Sequence, residues 1–233
     1  MKAIFKRELL AYFTSPIGYV FIGVFAIISG IYFNQYVIVG GNSDVSVPMY
    51  SSLLILVLLV PVLTMRLITE ERSSKTDQLL LSSPVSVWSI VLGKLSAALC
   101  VFIGAMITSF PYVVIVAIHG VPVWGKIIAA YLGFLMLGLS FISVGIFFSS
   151  ITESQIIALV VTLGVLLAAF LMGILPSTGV GVLDRVIELL AVTERFRNFV
   201  DGIFKLENLV YYLSLSAIFV FFTVRSIEKR RWS

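Results

Sequence analysis

The sequence MYSSLLILVLLVPVLTMRLITEERSSKTDQLLLSSP, residues 49–84, joins an apolar run to a short polar island at residues 70–84. In a chain with 60% hydrophobic and only 12% charged residues, charge is rarely as concentrated as it is in this island. The apolar content is well above the ~45–50% of a globular protein, and it falls in runs close to the ~20 residues that cross a bilayer as a helix. These features predict an all-α, polytopic membrane protein.

Six runs are long and apolar enough for transmembrane helices, within one membrane domain that covers residues 1–233. The third begins early, near Val87, with Trp88 at the interface and Lys94 reaching outward. The six predicted spans are Ile17–Val39, Met49–Met65, Leu95–Ile118, Ile127–Phe148, Ile156–Leu175 and Leu209–Val224.

Two further segments carry an amphipathic pattern. Residues 1–16 place Phe5, Leu9, Tyr12 and Phe13 on one helical face, which predicts an interfacial helix that either anchors to the membrane surface or docks on a neighbour. Residues 180–205 mix apolar and charged side chains too densely for a span, which predicts short external amphipathic helices at the surface.

An even number of spans puts both termini on one side of the membrane. With the termini inside, 11 of the 16 basic residues face the cytoplasm and five face outward. Since cytoplasmic loops carry an excess of Lys and Arg, this bias predicts cytoplasmic termini and a cytoplasmic polar island. It also accounts for the formal charge of +4 without a nucleic-acid partner.

The polar island has the pattern of a short capped helix. Thr76 can cap a helix start, Asp77 suits the positive end of the helix dipole, and Pro84 ends the helix. Leu79, Leu80 and Leu81 would then face the cytoplasm, either to enter a groove of a partner or to rest on the membrane surface. Just below the second span, Glu70, Glu71 and Arg72 add charge that could set the register of docking.

The sequence offers little for catalysis or metal binding. Cys100 and His119 are its only cysteine and histidine, and no phosphate-binding Gly-x-x-x-x-Gly-Lys-Ser/Thr pattern occurs. We therefore expect no catalytic residue, metal or cofactor in this chain. Asn34, Gln35, Ser140 and Ser143 are candidates for a translocation path, although serines in spans more often serve close helix packing.

The central island resembles the permease subunit of type-2 ABC transporters, and among these it is most similar to the gliding-motility permeases. The resemblance rests on Met65–Arg72, Thr76, Leu79–Leu81, Pro84–Ser86 and Gly93–Lys94. The resemblance extends over the rest of the chain. It includes the opening residues Glu8, Phe13 and Ser15–Pro16, and later Thr193–Phe199, Gly202 and Leu209–Ser214. Two positions depart from the pattern: Lys75 stands where a glycine is usual, and Gln78 where an acid is frequent.

The resemblance implies that residues 70–86 are a coupling-helix region, whose short helix between Thr76 and Pro84 is seated in a groove of a separate ATPase subunit that binds ATP and Mg²⁺. It implies an exporter built with a second permease copy or a homologous permease, in a bacterial plasma membrane, and it admits an extracytoplasmic accessory subunit. By analogy, Glu153 in the turn Ser149–Gln155 is a second ATPase contact, or else a charge that keeps the turn in water. Two other functions stay open: a membrane scaffold that anchors an ATPase complex without transport, and a secondary transporter, which the scarcity of ionisable residues in the spans disfavours.

Overall fold

The computed structural model describes residues 1–76, 85–173 and 192–231. All regular structure in these ranges is helical, as the composition predicts. The helices are α1 (Lys2–Thr14), α2 (Pro16–Phe33), a π-helical continuation (Asn34–Val39), α3 (Ser46–Ser51), α4 (Leu53–Thr64), α5 (Arg66–Ser73), α6 (Val87–Ile107), α7 (Phe110–His119), α8 (Trp124–Ile151), α9 (Gln155–Met172), α10 (Val192–Val200) and α11 (Leu206–Arg231).

Six spans are found in the described ranges, which confirms the predicted number. They are Pro16–Val39, Leu53–Ser73, Val87–His119, Trp124–Ile151, Gln155–Met172 and Leu206–Arg230. The second span starts later than predicted because residues 46–51 form the separate helix α3, and it continues past Met65 into α5.

Local sequence signals explain several helix ends. Ser15 is extended and precedes Pro16, whose fixed φ suits the first position of α2. The hydroxyl of Ser86 accepts a hydrogen bond from the Ser89 N–H, which caps the third span where the sequence predicts its start. That span breaks at residues 108–109, just before Pro111 enters the first turn of α7.

Helix α8 lies at the centre of the bundle and contacts α4, α6, α9, α10 and α11. Phe134 is fully buried on α8, with ring centroids of Phe25, Phe102 and Phe196 between 5.6 and 5.9 Å away. A Cβ at Gly138 would lie 2.3 Å from the Phe102 ring, so glycine is required for this close approach. The core is thus an aromatic cluster that joins the first, third and fourth spans to α10.

Helix α10 confirms the amphipathic character predicted for this segment, but its apolar face does not rest on lipid. Phe196 and Phe199 are fully buried, and Phe199 fills the space left by the absent side chain of Gly133 on α8. The bundle therefore covers the face that was expected to lie at the membrane surface. The first part of the predicted segment, residues 180–191, lies outside the described residues.

Near α10, Asp44 holds together the loop before α3 and the start of α8. It accepts hydrogen bonds from the N–H and hydroxyl of Ser46 and forms an ion pair with Lys126 at 3.1 Å. Partial burial opposes its ionisation, but these hydrogen bonds and the Lys126 charge outweigh burial and lower the pKa of Asp44. The Ser46 hydroxyl oxygen also lies 3.1 Å from the Val200 carbonyl oxygen, so its one hydrogen is shared between two acceptors and α3 is held close to α10.

Candidate functional site

The polar residues that flank the central island meet at the end of the bundle that holds the N-terminus, here named the charged end. It is formed by α1, α5, the start of α6, the turn at residues 151–154 and the last turns of α11. Five of the predicted site residues lie at the charged end: Glu70, Glu71, Arg72, Thr76 and Glu153.

Helix α1 packs on the spans instead of resting on the membrane alone. Tyr12 is 1% exposed, and its hydroxyl donates to the Leu63 carbonyl oxygen at 2.8 Å. Burial raises the pKa of the Tyr12 phenol, so the group stays protonated as this hydrogen bond requires. Phe5 and Leu9 pack on the same core, whereas Phe13, predicted on this face, is 39% exposed and contacts Tyr19.

Arg66, at the start of α5, binds the end of α1. Its guanidinium donates to the Ser15 hydroxyl at 2.9 Å and to the Ala11 carbonyl oxygen at 3.1 Å. It also lies 5.7 Å from the Tyr12 ring centroid and forms an exposed ion pair with Glu70. A cation at the C-terminal end of a helix satisfies carbonyl groups that have no helical partner. Glu70, at 58% exposure, therefore contributes mainly through Arg66 and adds little stability itself.

Lys94 is the most buried charge at this end. Its side chain is 1% exposed, and Nζ lies 3.1 Å from a carboxylate oxygen of Glu8 and 3.1 Å from one of Glu71. Nζ also donates to the Leu67 carbonyl oxygen at 2.6 Å, so all three ammonium protons have an acceptor. Arg7 pairs with both carboxylates, and the four side chains together carry no net charge.

The expectation that Lys94 reaches outward is wrong. Helix α1 covers the start of the third span, where Ile4 packs against Gly93. Lys94 therefore cannot extend to water along the helix surface, and Glu8 and Glu71 supply its counter-charges. An ion set of this kind joins α1, α5 and α6, because each carboxylate pairs with both Arg7 and Lys94 and the loss of one member weakens the pairing of the others.

Helix α5 ends in a Schellman motif just before the island's predicted helix. The N–H of Thr76 donates to the Glu71 carbonyl oxygen at 2.9 Å, and that of Lys75 donates to Arg72 at 3.1 Å. Lys75 has a φ of 55°, a left-handed conformation that favours glycine. Lys75, which stands where the family pattern has glycine, is therefore a strained residue at the end of α5. The Thr76 hydroxyl lies 3.3 Å from the Glu71 carbonyl oxygen, so within the described residues it serves the end of α5.

The turn after the fourth span is bound to α5 by side chains. Arg72 forms an ion pair with Glu153 at 3.1 Å and donates to the Ser150 carbonyl oxygen at 3.2 Å. Arg230, near the end of α11, donates to the same carbonyl oxygen. Glu153 is thus paired within the chain, although it stays 72% exposed and accessible to a partner.

Ser149 caps α5 from the fourth span. Its hydroxyl oxygen accepts from the N–H groups of Ile68 at 3.1 Å and Thr69 at 3.3 Å, and donates to the Met65 carbonyl oxygen at 3.2 Å. First-turn N–H groups of a helix have no partner within it, so this buried hydroxyl replaces a local cap. The break between α4 and α5 at Met65 is stabilised in this way.

Several predicted site residues are not part of this arrangement. Leu79, Leu80, Leu81 and Pro84 lie outside the described residues, so their coupling role stays a prediction. Asn34 and Gln35 are exposed in the π-helical segment. Ser140 and Ser143 are fully buried. The Ser143 hydroxyl donates to the Leu139 carbonyl oxygen, and the one hydrogen of the Ser140 hydroxyl is shared between the carbonyl oxygens of Met136 and Tyr212. Their place in a translocation path stays a prediction, and these contacts fit helix packing.

Sequence reasoning did not place Lys94, Glu8, Arg66 or Ser149 in the site. A usable signal existed for Lys94, because an ionisable residue inside an apolar run implies a buried partner. For Ser149 no local signal exists, since its partners lie about 80 residues earlier in the chain.

The six apolar spans define a polytopic helical membrane protein, with its polar contacts gathered at the charged end. A family model described as "ABC-2 family transporter protein" matches residues 2–224. The chain therefore belongs to the ABC-2 transporter family and is a permease subunit of an ABC transporter. No curated protein matches the chain.

Proposed function

We propose that this permease converts ATP hydrolysis in a separate nucleotide-binding subunit into movement of its spans. It works as an exporter in a bacterial plasma membrane, with a second copy or a homologous permease and with both termini cytoplasmic. ATP and Mg²⁺ bind in the partner ATPase. The segment at residues 77–84 is the coupling helix, and Leu79, Leu80 and Leu81 fill a groove of that ATPase.

The observation that carries this proposal is the bonding on both sides of residues 77–84. Before the segment, Glu71 is bound to Lys94, and Arg72 to Glu153. After it, Ser86 begins the helix that carries Lys94. A displacement of the segment would therefore move α1, α5 and α6 together, and would reach α8 through the turn at Glu153. Closure of two ATPase subunits can drive such a rigid movement.

Charge supports the orientation. The charged end holds most of the basic residues, and cytoplasmic loops are enriched in Lys and Arg. The finer resemblance to the gliding-motility permease GldF suggests that force, rather than a cargo, could be what the spans deliver. An extracytoplasmic accessory subunit would then receive that force.

Co-purification with the cognate ATPase tests the proposal. Changing Leu79, Leu80 and Leu81 to aspartate should weaken ATPase association at least tenfold, because each buried leucine contributes about 1.5–3 kcal/mol. Arg225→Gln, which alters an exposed cation at the same end, is the matched control. Unchanged association and ATPase activity in the triple aspartate variant would contradict the coupling role.

A double variant distinguishes a permease that is driven by the ATPase from a scaffold that only anchors it. Arg72→Gln with Glu153→Gln should leave the ATPase bound but reduce transport or force output per ATP hydrolysed. A scaffold that only anchors the ATPase would keep its function when ATP hydrolysis by the partner is abolished, and that result would favour the scaffold over the permease mechanism.

A further inference from the structure

A polar hollow of about 700 Å³ opens at the end of the bundle opposite the charged end. It lies between α10 and the start of α11, and each of the described residues that line it is charged or carries an amide. This is unusual in a chain with only 12% charged residues, and neither the family nor the coupling mechanism accounts for it.

Arg195 supplies the first observation that points to a ligand. Its guanidinium stacks on the Tyr211 ring, 4.1 Å from the centroid, which fixes its position. The Nε atom of Arg195 is buried and has no hydrogen-bond partner in the described structure. An unpaired buried donor on a charged group is costly, and proteins rarely retain one without a function.

Asn208 supplies the second sign. This residue, in the first turn of α11, is 3% exposed, and its Nδ2 atom is likewise buried without a partner. Arg195 and Asn208 both line the hollow, so two residues that each carry a buried donor without an acceptor meet at one place. A ligand that satisfies both must bring acceptor oxygens.

The surrounding charges define the ligand further. Three cations line the hollow, Arg195, Arg197 and Lys205, and none lies within 4.0 Å of a carboxylate among the described residues. The N-terminus of α11 adds partial positive charge at the same place. Three exposed acids, Glu194, Asp201 and Glu207, balance the formal charge, which favours a group of low net charge over a polyanion.

We propose that the hollow is a binding site for a phosphate group, held by Arg195 and Asn208. The group is carried by a phospholipid headgroup or is free in solution. Several oxygens on one tetrahedral centre can accept from the guanidinium of Arg195 and the amide of Asn208, and Arg is well suited to such oxyanions. The site does not depend on ATP coupling, so it stands or falls separately from the proposed function.

Thermal unfolding of the purified full-length protein in detergent micelles tests the site. Inorganic phosphate and phosphatidylglycerol are added in separate titrations, with chloride at matched ionic strength and with diacylglycerol as the phosphate-free lipid. At least one phosphate compound should raise the unfolding midpoint of the wild type beyond its matched control. An effect of phosphatidylglycerol alone identifies a lipid site, and an effect of inorganic phosphate identifies a site open to the free ion.

Variants connect the effect to the hollow. Arg195→Gln should raise the apparent Kd about tenfold or more, since it removes a charged donor, and Asn208→Leu should weaken binding as well. Arg225→Gln, at the other end of the same helix, should bind as the wild type does. If Arg195→Gln fails to fold, Asn208→Leu decides. The proposal is overturned if no phosphate compound raises the unfolding midpoint of the wild type more than its matched control does. It is also overturned if Asn208→Leu, and Arg195→Gln where it folds, show the same rise in midpoint as the wild type.

Discussion

Replacement of Lys94 by methionine is the sharpest test of the charged end, because it removes the ammonium and keeps a side chain of similar length. Lys94 is 1% exposed, and Glu8 and Glu71 are 13% and 17% exposed. Loss of one member of a buried ion pair costs about 3–5 kcal/mol. Water reaches both carboxylates and Arg7 continues to pair with them, so we expect a loss near the lower limit, about 3 kcal/mol.

The assay is thermal unfolding of the purified protein in detergent micelles. For a chain of this size, a loss of about 3 kcal/mol corresponds to a midpoint lowered by about 6–12 °C, at ~2–4 °C per kcal/mol. Lys6→Met is the matched control, because Lys6 lies on α1 and is exposed. Its unfolding free energy should stay within about 0.5 kcal/mol of the wild type.

A compensated variant distinguishes an ionic effect from a packing effect. Lys94→Met combined with Glu8→Gln and Glu71→Gln neutralises the three more buried members and should recover much of the lost stability, since neutral replacements of buried ions are often tolerated. Arg7 keeps its charge, but it is 52% exposed and stays hydrated. Two results would refute the reasoning: a Lys94→Met protein as stable as the wild type, or a triple variant no more stable than the single one.

Three further predictions concern stability and are checked by the same unfolding measurement. Lys75→Gly should stabilise by about 0.5–1 kcal/mol, because the φ of 55° strains any residue with a Cβ; Lys75→Ala should bring no such gain. The pKa of Asp44 is lowered in the folded protein, so its contribution to the free energy of unfolding is complete well above pH 3.8 and is lost as the pH falls through and below that value. Asp44→Asn should lack this part of the pH dependence. If the stability of the variant and of the wild type falls in parallel with pH, the prediction is wrong. Gly138→Ala should destabilise by about 1–3 kcal/mol through collision with the Phe102 ring, whereas Gly164→Ala, with nothing within 4 Å of its Cβ, should not.

The spans could be predicted because their signals are local. The structure follows the apolar runs of sufficient length, and the helix ends at Ser15–Pro16 and at Ser86 depend on only a few neighbouring residues. The predicted second span starts a few residues too early, at Met49, because Met49 and Tyr50 extend the apolar run and composition does not show the break at Ser52.

The charged end could be predicted only in part, because its bonds join residues far apart in sequence. Glu71 and Arg72 were recognised as charged positions, but their partners are fixed by how α1 and the fourth span pack. The same cause explains the error at Lys94: periodicity describes one helix, and another helix covers this residue. Close packing at Gly133 likewise explains why α10 is buried rather than on lipid.

The Ser149 cap has a consequence for the order in which the protein matures. A ribosome delivers Ile68 and Thr69 some 80 residues before Ser149, so these two amides have no cap while the second and third spans enter the membrane. Helix α5 can reach its final geometry only after the fourth span is in place. The surface offered to a cytoplasmic partner is therefore completed late in biogenesis, and a chain truncated before residue 149 would expose an unfinished version of it.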